Sequence, residues 1–159
     1  MRKEDAAGDR GSAKTRILVA DDHRVIRAGL RRIMEGEEDL DLCGEAEDAA
    51  GLLRQVRGEK WDLLILDISL PDRSGLEVLE EVRELQPEMK VLVLSMHEDP
   101  LYVKKAFALG ALGYISKDCT PEEVVEAVRE VARGERYLGR FLARKIGLEL
   151  KDLGPGNGA

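Results

Sequence analysis

The stretch Leu63-Leu64-Ile65-Leu66-Asp67-Ile68-Ser69-Leu70-Pro71 decides the fold. Four consecutive β-favouring apolar residues read as a strand buried on both faces, the signature of a parallel sheet. The run stops at a carboxylate, and a turn-rich stretch through Asp72-Arg73-Ser74-Gly75 follows. Asp67 therefore ends a buried strand and faces a loop. Three further runs repeat the arrangement. Ile17-Leu18-Val19-Ala20 leads into Asp21-Asp22, Val91-Leu92-Val93-Leu94 into Ser95, and Gly113-Tyr114-Ile115-Ser116 into Lys117. In an open parallel sheet the carboxyl ends of the strands share one edge, where ligands bind. Three carboxylates, a hydroxyl and an ammonium are thus expected in one crevice.

Helical periodicity fills the gaps between these runs. Val25, Ile26, Leu30, Ile33 and Met34 recur at helical spacing up to Gly36. Leu40-Asp41-Leu42-Cys43-Gly44 alternates as a half-buried second strand. Asp48 caps a helix ending near Gly58, and Ser74 caps one that stops before Pro87. Another helix runs from about Asp99 to Gly110. Thr120-Pro121-Glu122-Glu123 opens the next as N-cap, proline at the first position and acids favoured by the helix dipole. Strands alternating with helices predict an α/β, doubly wound parallel sheet of βα units over residues 16–134 with helices on both faces. Periodicity does not set the strand order.

The flanks read differently. Residues 1–15, polar and rich in charge, are expected to form a disordered tail. Leu138, Phe141, Leu142, Ile146, Leu150 and Leu153 form an apolar stripe that predicts one amphipathic helix over residues 138–153, followed by a flexible end at 154–159. Two readings of that helix stay open: it packs on its own domain, or it serves a dimer partner or a further domain.

Composition narrows the function. Hydrophobic residues make up 43% and charged residues 36%, with a net charge of −7, which describes a globular protein with a heavily ionised surface. An acidic balance argues against nucleic-acid binding by this segment. The basic run Arg24, Arg27, Arg31 and Arg32 reads as a solvated helix face. No stretch approaches the ~20 apolar residues of a membrane span, so no membrane contact and a cytoplasmic location are expected. Cys43 and Cys119 lack metal-ligand spacing and are expected as thiols, Cys43 as a small buried hydrophobe. Only two histidines, His23 and His97, are present, which leaves little scope for a multi-histidine metal site.

The strand-end set suits phosphoryl chemistry. Mg²⁺ prefers one or two carboxylates, retained waters and phosphate oxygens. Asp21 or Asp22, with Asp67, could supply that site, because acids crowded together repel strongly without a cation. Lys117 and Ser95 add positive charge and a hydroxyl donor, and Asp67 is the natural nucleophile.

The segments Val19-Ala20-Asp21-Asp22-His23, Leu66-Asp67-Ile68-Ser69-Leu70-Pro71, Leu94-Ser95-Met96-His97 and Gly113-Tyr114-Ile115-Ser116-Lys117-Asp118 resemble the receiver domain of two-component response regulators. The likeness spans residues 16–137, and the stretch from Ser95 through Leu138 is most similar to receivers that precede a LuxR-type helix-turn-helix, the NarL/FixJ branch. The resemblance implies a five-stranded CheY-like, flavodoxin-like sheet in the order 2-1-3-4-5. It implies that Asp67 is phosphorylated by a sensor histidine kinase, with Mg²⁺ (or Mn²⁺) held by Asp21, Asp22, Asp67 and the backbone carbonyl of Ser69. Ser95 and Lys117 would stabilise the phosphoryl group. Ser95 and Tyr114 would form the switch, Tyr114 swinging inward on activation, and Ser69 and His97 would tune the phosphoryl lifetime. Homodimerisation on phosphorylation and transcription control are the implied outputs, with DNA contacted only through a helix-turn-helix outside these 159 residues. Lys117 is followed by Asp118 where many receivers have proline, which leaves their cis peptide open at this position.

Two other classes compete. A haloacid dehalogenase-type phosphatase also places Asp, Ser/Thr and Lys at strand ends, but its Asp-x-Asp nucleophile motif would need a second acid where Ser69 stands. A stand-alone receiver would act through protein contacts without any DNA-binding domain.

Overall fold

The computed structural model describes residues 13–154. Six strands, β1 (Thr15–Ala20), β2 (Leu40–Ala46), β3 (Leu63–Leu66), β4 (Lys90–Ser95), β5 (Gly113–Ser116) and β6 (Tyr137–Leu138), form one sheet in the order β2-β1-β3-β4-β5-β6. Every pairing is parallel. The predicted order of the first five strands holds, and β6 is an addition. Most of the expected tail and end lie outside the described residues, although Thr15 already belongs to β1.

Six helices flank the sheet: α1 (Arg24–Glu35), α2 (Ala49–Gly58), α3 (Gly75–Leu85), α4 (Pro100–Ala108), α5 (Pro121–Ala132) and α6 (Arg140–Ile146). Strand residues alternate between two apolar layers, as their two-residue period requires. Leu18, Leu64, Leu66, Val91 and Val93 pack with α2, α3 and α4, whereas Ile17, Val19, Ile65 and Leu92 pack with α1 and α5. The caps read from the sequence form. Asp48 accepts from Gly51 N at 2.8 Å, Ser74 from Leu76 N at 3.2 Å and Thr120 from Glu123 N at 3.1 Å. Such caps contribute about 1 kcal/mol each.

Three expectations need correction. Residues 138–153 are not one helix: Leu138 lies in β6, α6 ends at Gly147 in the left-handed conformation (φ 72°), and a separate 3-10 turn covers Leu150–Leu153. The edge of β5 wins Tyr137 and Leu138, because it offers Leu112 O to Tyr137 N at 2.8 Å and Tyr114 O to Gly139 N at 3.0 Å. Most of the apolar stripe packs on its own domain. Leu138 and Leu142 are buried, and Ile146, Leu150 and Leu153 lie against the same cluster; Phe141 alone stays 62% exposed. Cys43 is exposed, since in β2 it alternates to the face opposite Leu42 and Gly44. The arginine run is only partly a solvated face: Arg27 donates to Asp21 O (2.6 Å) and Glu45 (2.8 Å), and Arg31 also pairs with Glu45.

Candidate functional site

Parallel register gathers the strand-end groups. Ala20 pairs with Leu66, Leu66 with Val93, and Ser95 with Ser116. Asp21 and Asp67 therefore sit level at neighbouring strand ends, and Lys117 emerges one residue past Ser95. The backbone ladder runs into the site, with Asp67 N donating to Ala20 O at 2.9 Å and Lys117 N to Ser95 O at 3.1 Å.

The loop after Asp67 is fixed at two points. Gly75 N donates to Ile68 O at 3.0 Å, and a Cβ at Gly75 would fall 2.2 Å from Ile68 Cα, so only glycine fits this close approach. Asp72 accepts from Ala49 N at 2.8 Å and Ala50 N at 3.1 Å, the orphan amides at the start of α2. Those bonds favour its ionised form and hold its pKa below the usual carboxylate value.

The pocket is acidic, and its two central carboxylates are buried. Asp21 and Asp67 are each 1% exposed. Lys117 Nζ lies 2.9 Å from Asp67 Oδ2 and 3.0 Å from Asp21 Oδ2. Burial by itself would lower the Lys117 pKa, but the contacts with Asp67 and Asp21 outweigh it and hold the ammonium above its ordinary value. Ser69 N donates to the other Asp67 oxygen, Oδ1, at 2.9 Å. Asp21 Oδ1 accepts from His23 N at 2.8 Å. Asp21 Oδ2, by contrast, has no hydrogen bond of good geometry, so its contact with Lys117 is a charge interaction that leaves acceptor capacity free.

These features fit a divalent cation. Asp21, Asp22, His23 and Asp67 each offer one ligand atom, all within 4.8 Å of one another. Hard carboxylate oxygens and a buried acceptor without a donor are what such an ion requires.

The switch candidates form a second, contiguous group. Ser95 is fully buried, and its Oγ accepts from His97 N at 2.9 Å. Tyr114 is also fully buried, facing inward, and its hydroxyl donates to His97 O at 2.7 Å. Burial pushes the Tyr114 pKa up to about 12, with a hydrogen bond to Ser95 opposing. Ser69 and His97 meet directly, Oγ to Nε2 at 2.9 Å, and the His97 ring lies 4.7 Å from that of Tyr102. The Lys117-Asp118 peptide is trans.

Two participants escaped the sequence reading. Asp72 looked like a turn residue, and its bond to α2 spans elements that no local pattern relates. His23 falls outside the sequence expectation because two histidines leave little scope for a multi-histidine site. The available signal was its place directly after Asp21-Asp22, where one imidazole can join acids instead of other histidines.

The chain is similar to known proteins. Residues 17–129 match the response regulator receiver domain family. Response regulator UvrY of Escherichia coli K12 is 33% identical over 132 residues, covering 83% of this chain and 61% of its own length. Oxygen regulatory protein NreC of Staphylococcus haemolyticus is 38% identical over 132 residues, covering 82% and 61%. A LuxR-family two-component response regulator from Aurantimonas superposes with a TM-score of 0.79 at 31% identity, covering 85% of this chain and 96% of its own. The chain spans about three-fifths of the length of the curated relatives it matches. Among the described residues no helix is long and apolar enough to cross a membrane. With the register, the acidic pocket and these likenesses in agreement, the chain belongs to the response regulator receiver family, on its LuxR-type branch.

Proposed function

We propose that this chain is a phosphorylation-operated switch in which Asp67 accepts a phosphoryl group from a sensor histidine kinase. The observation that carries the reading is Lys117 Nζ set between Asp67 and Asp21, at 2.9 and 3.0 Å, in a buried pocket whose acids outnumber it. Ser69 N and Lys117 hold the two Asp67 oxygens, so the carboxylate is oriented before the donor arrives. An Asp67 oxygen attacks phosphorus, the bond from phosphorus to the donor nitrogen breaks, and the donor imidazole departs with the electron pair. Asp21, Asp22, Asp67 and the carbonyl of Ser69 would hold Mg²⁺ or Mn²⁺, which when bound would supply charge neutralisation at this site. Lys117 is placed to balance the remaining charge on the phosphoryl oxygens.

The new group brings about −1.5 to −2 charges. Ser95 Oγ, now accepting from His97 N, can instead donate to a phosphoryl oxygen. That change pulls on the loop carrying His97, whose carbonyl anchors the Tyr114 hydroxyl. Helix α4 and strand β5 thus feel the modification, and with α5 they make the face whose change would alter dimerisation and, as in LuxR-type relatives, transcriptional output through a separate DNA-binding domain. The resemblance gives Tyr114 an inward swing on activation; its inward position here means that phosphorylation locks an orientation already accessible. Ser69 and His97, in contact at 2.9 Å, are the residues that would tune the phosphoryl lifetime. The chain acts as an acceptor and not as a turnover phosphatase, since Ser69 stands where a dehalogenase-type enzyme needs its second acid.

Incubation with acetyl phosphate and Mg²⁺ tests the reading. The wild type is expected to gain one acid-stable, base-labile phosphoryl group and Asp67→Asn none; labelling of Asp67→Asn at the wild-type level would contradict it.

A further inference from the structure

We infer that His23 supplies a nitrogen ligand to the cation held by Asp21, Asp22 and Asp67, so that the pocket favours later first-row ions such as Co²⁺ and Ni²⁺ over Mg²⁺. The inference rests on reading the acid cluster as a cation site. Its first support is what His23 does not do. It occupies the N-cap position of α1, with extended backbone (φ −92°, ψ 110°), yet its side chain makes no cap bond, and the first turn of α1 contains no acid. Serine or aspartate there would stabilise the helix by about 1 kcal/mol. The sequence forgoes that cap and turns an imidazole to the pocket.

The second support is distance. His23 Nδ1 lies 3.0 Å from Asp21 Oδ1 and 3.3 Å from Asp22 Oδ1. Two ligands at about 2.1 Å on adjacent corners of an octahedron are about 3.0 Å apart. The nitrogen therefore already sits at ligand-to-ligand spacing from two candidate oxygens. The third support is Asp21 Oδ2, buried and without a well-directed donor, which aims spare acceptor capacity into the same space. Nδ1 also meets Lys117 Nζ at 3.3 Å, a contact that an ion bound by Nδ1 displaces. The His23 side chain is 59% exposed, so it can turn onto an ion without unpacking the core.

The selectivity follows from donor chemistry. Mg²⁺ prefers oxygen ligands and keeps its waters, and one nitrogen adds little for it. Imidazole binds later first-row ions more strongly, in the order that runs upward from Mn²⁺ to Ni²⁺. A histidine that only hydrogen-bonds Asp21 would influence all divalent ions alike.

Calorimetric titration with Mg²⁺ and Co²⁺, together with electron spin-echo spectroscopy of bound Mn²⁺, separates the two roles. His23→Ala is expected to weaken Co²⁺ at least about tenfold and to change Mg²⁺ less than about twofold. The wild type is expected to show nitrogen directly coupled to Mn²⁺, and His23→Ala to lose it. His23→Asn, which retains an N-cap residue, should behave as His23→Ala does. Equal weakening of Mg²⁺ and Co²⁺, or no nitrogen coupling in the wild type, would overturn the role of His23 alone. Absence of any ion binding by the wild type, or binding unaffected by Asp67→Asn, would overturn the cation site and the inference with it.

Discussion

At the carboxyl ends of β1, β3, β4 and β5, two constraints fix each functional group: the apolar run behind it and the parallel register beside it. Along residues 137–153 only the first exists. Asp21 and Asp67 consequently converge to 3.0 and 2.9 Å from Lys117 Nζ, whereas the apolar stripe at the C-terminus is compatible with several backbones. It resolves into a two-residue strand, a short helix and a 3-10 turn only because the edge of β5 and the surface of α4 are already present. A hydrophobic pattern specifies which residues are buried, and pairing decides in what conformation.

The comparison breaks most sharply at Lys117. Replacing it with methionine leaves Asp21 and Asp67 buried without their counter-charge, and urea unfolding is expected to register a loss of about 3–5 kcal/mol. Addition of a divalent cation should restore much of it; a stable, cation-indifferent variant would mean the acids are not coupled. The sign of the pH dependence follows from the raised Lys117 pKa. The native state holds this proton more tightly than the unfolded chain, so the contribution is complete below the unfolded value of about 10.4 and is lost as pH rises through the native one. Wild-type stability should fall over that alkaline range more steeply than that of the methionine variant.

The C-terminal segment is tested by two neighbouring residues. Leu142, 1% exposed, is expected to cost about 3 kcal/mol as alanine. Phe141, 62% exposed, should cost no more than about 0.5 kcal/mol. Equal small effects would show that this segment lies outside the cooperative core. Gly75→Ala probes the loop after Asp67: a Cβ 2.2 Å from Ile68 Cα must displace backbone, at about 2 kcal/mol, and should also slow acetyl phosphate labelling. A neutral result would remove the need for glycine there.

The smallest expected effect concerns the thiols. Burial raises the Cys119 pKa to about 11, while Cys43 is exposed. At pH 8 a thiol reagent should modify Cys43 at least about tenfold faster than Cys119. The reverse order, measured by peptide mapping, would contradict the alternation assigned to β2.

What the sequence made legible follows the same divide. The four buried runs, the caps at Asp48, Ser74 and Thr120, and the convergence of Asp21, Asp67 and Lys117 all rest on local pattern plus one topological rule. Cys43 was legible too, because the alternation read for β2 already put it beside Asp41 on the outer face; residue type was allowed to override position. The bonds from Asp72 to α2 and from Arg27 and Arg31 to Glu45 join elements distant in sequence, and charge content alone does not encode such pairings. The strand β6 is too short for any period to register.

The most direct test of the central claim is chemical mapping of the phosphorylated residue. After treatment with acetyl phosphate and Mg²⁺, borohydride reduction converts an aspartyl phosphate to homoserine, which peptide mass spectrometry locates. The account predicts homoserine at position 67 alone. Homoserine at 21 or 22, or an unmodified residue 67 in protein that has taken up phosphate, would contradict it.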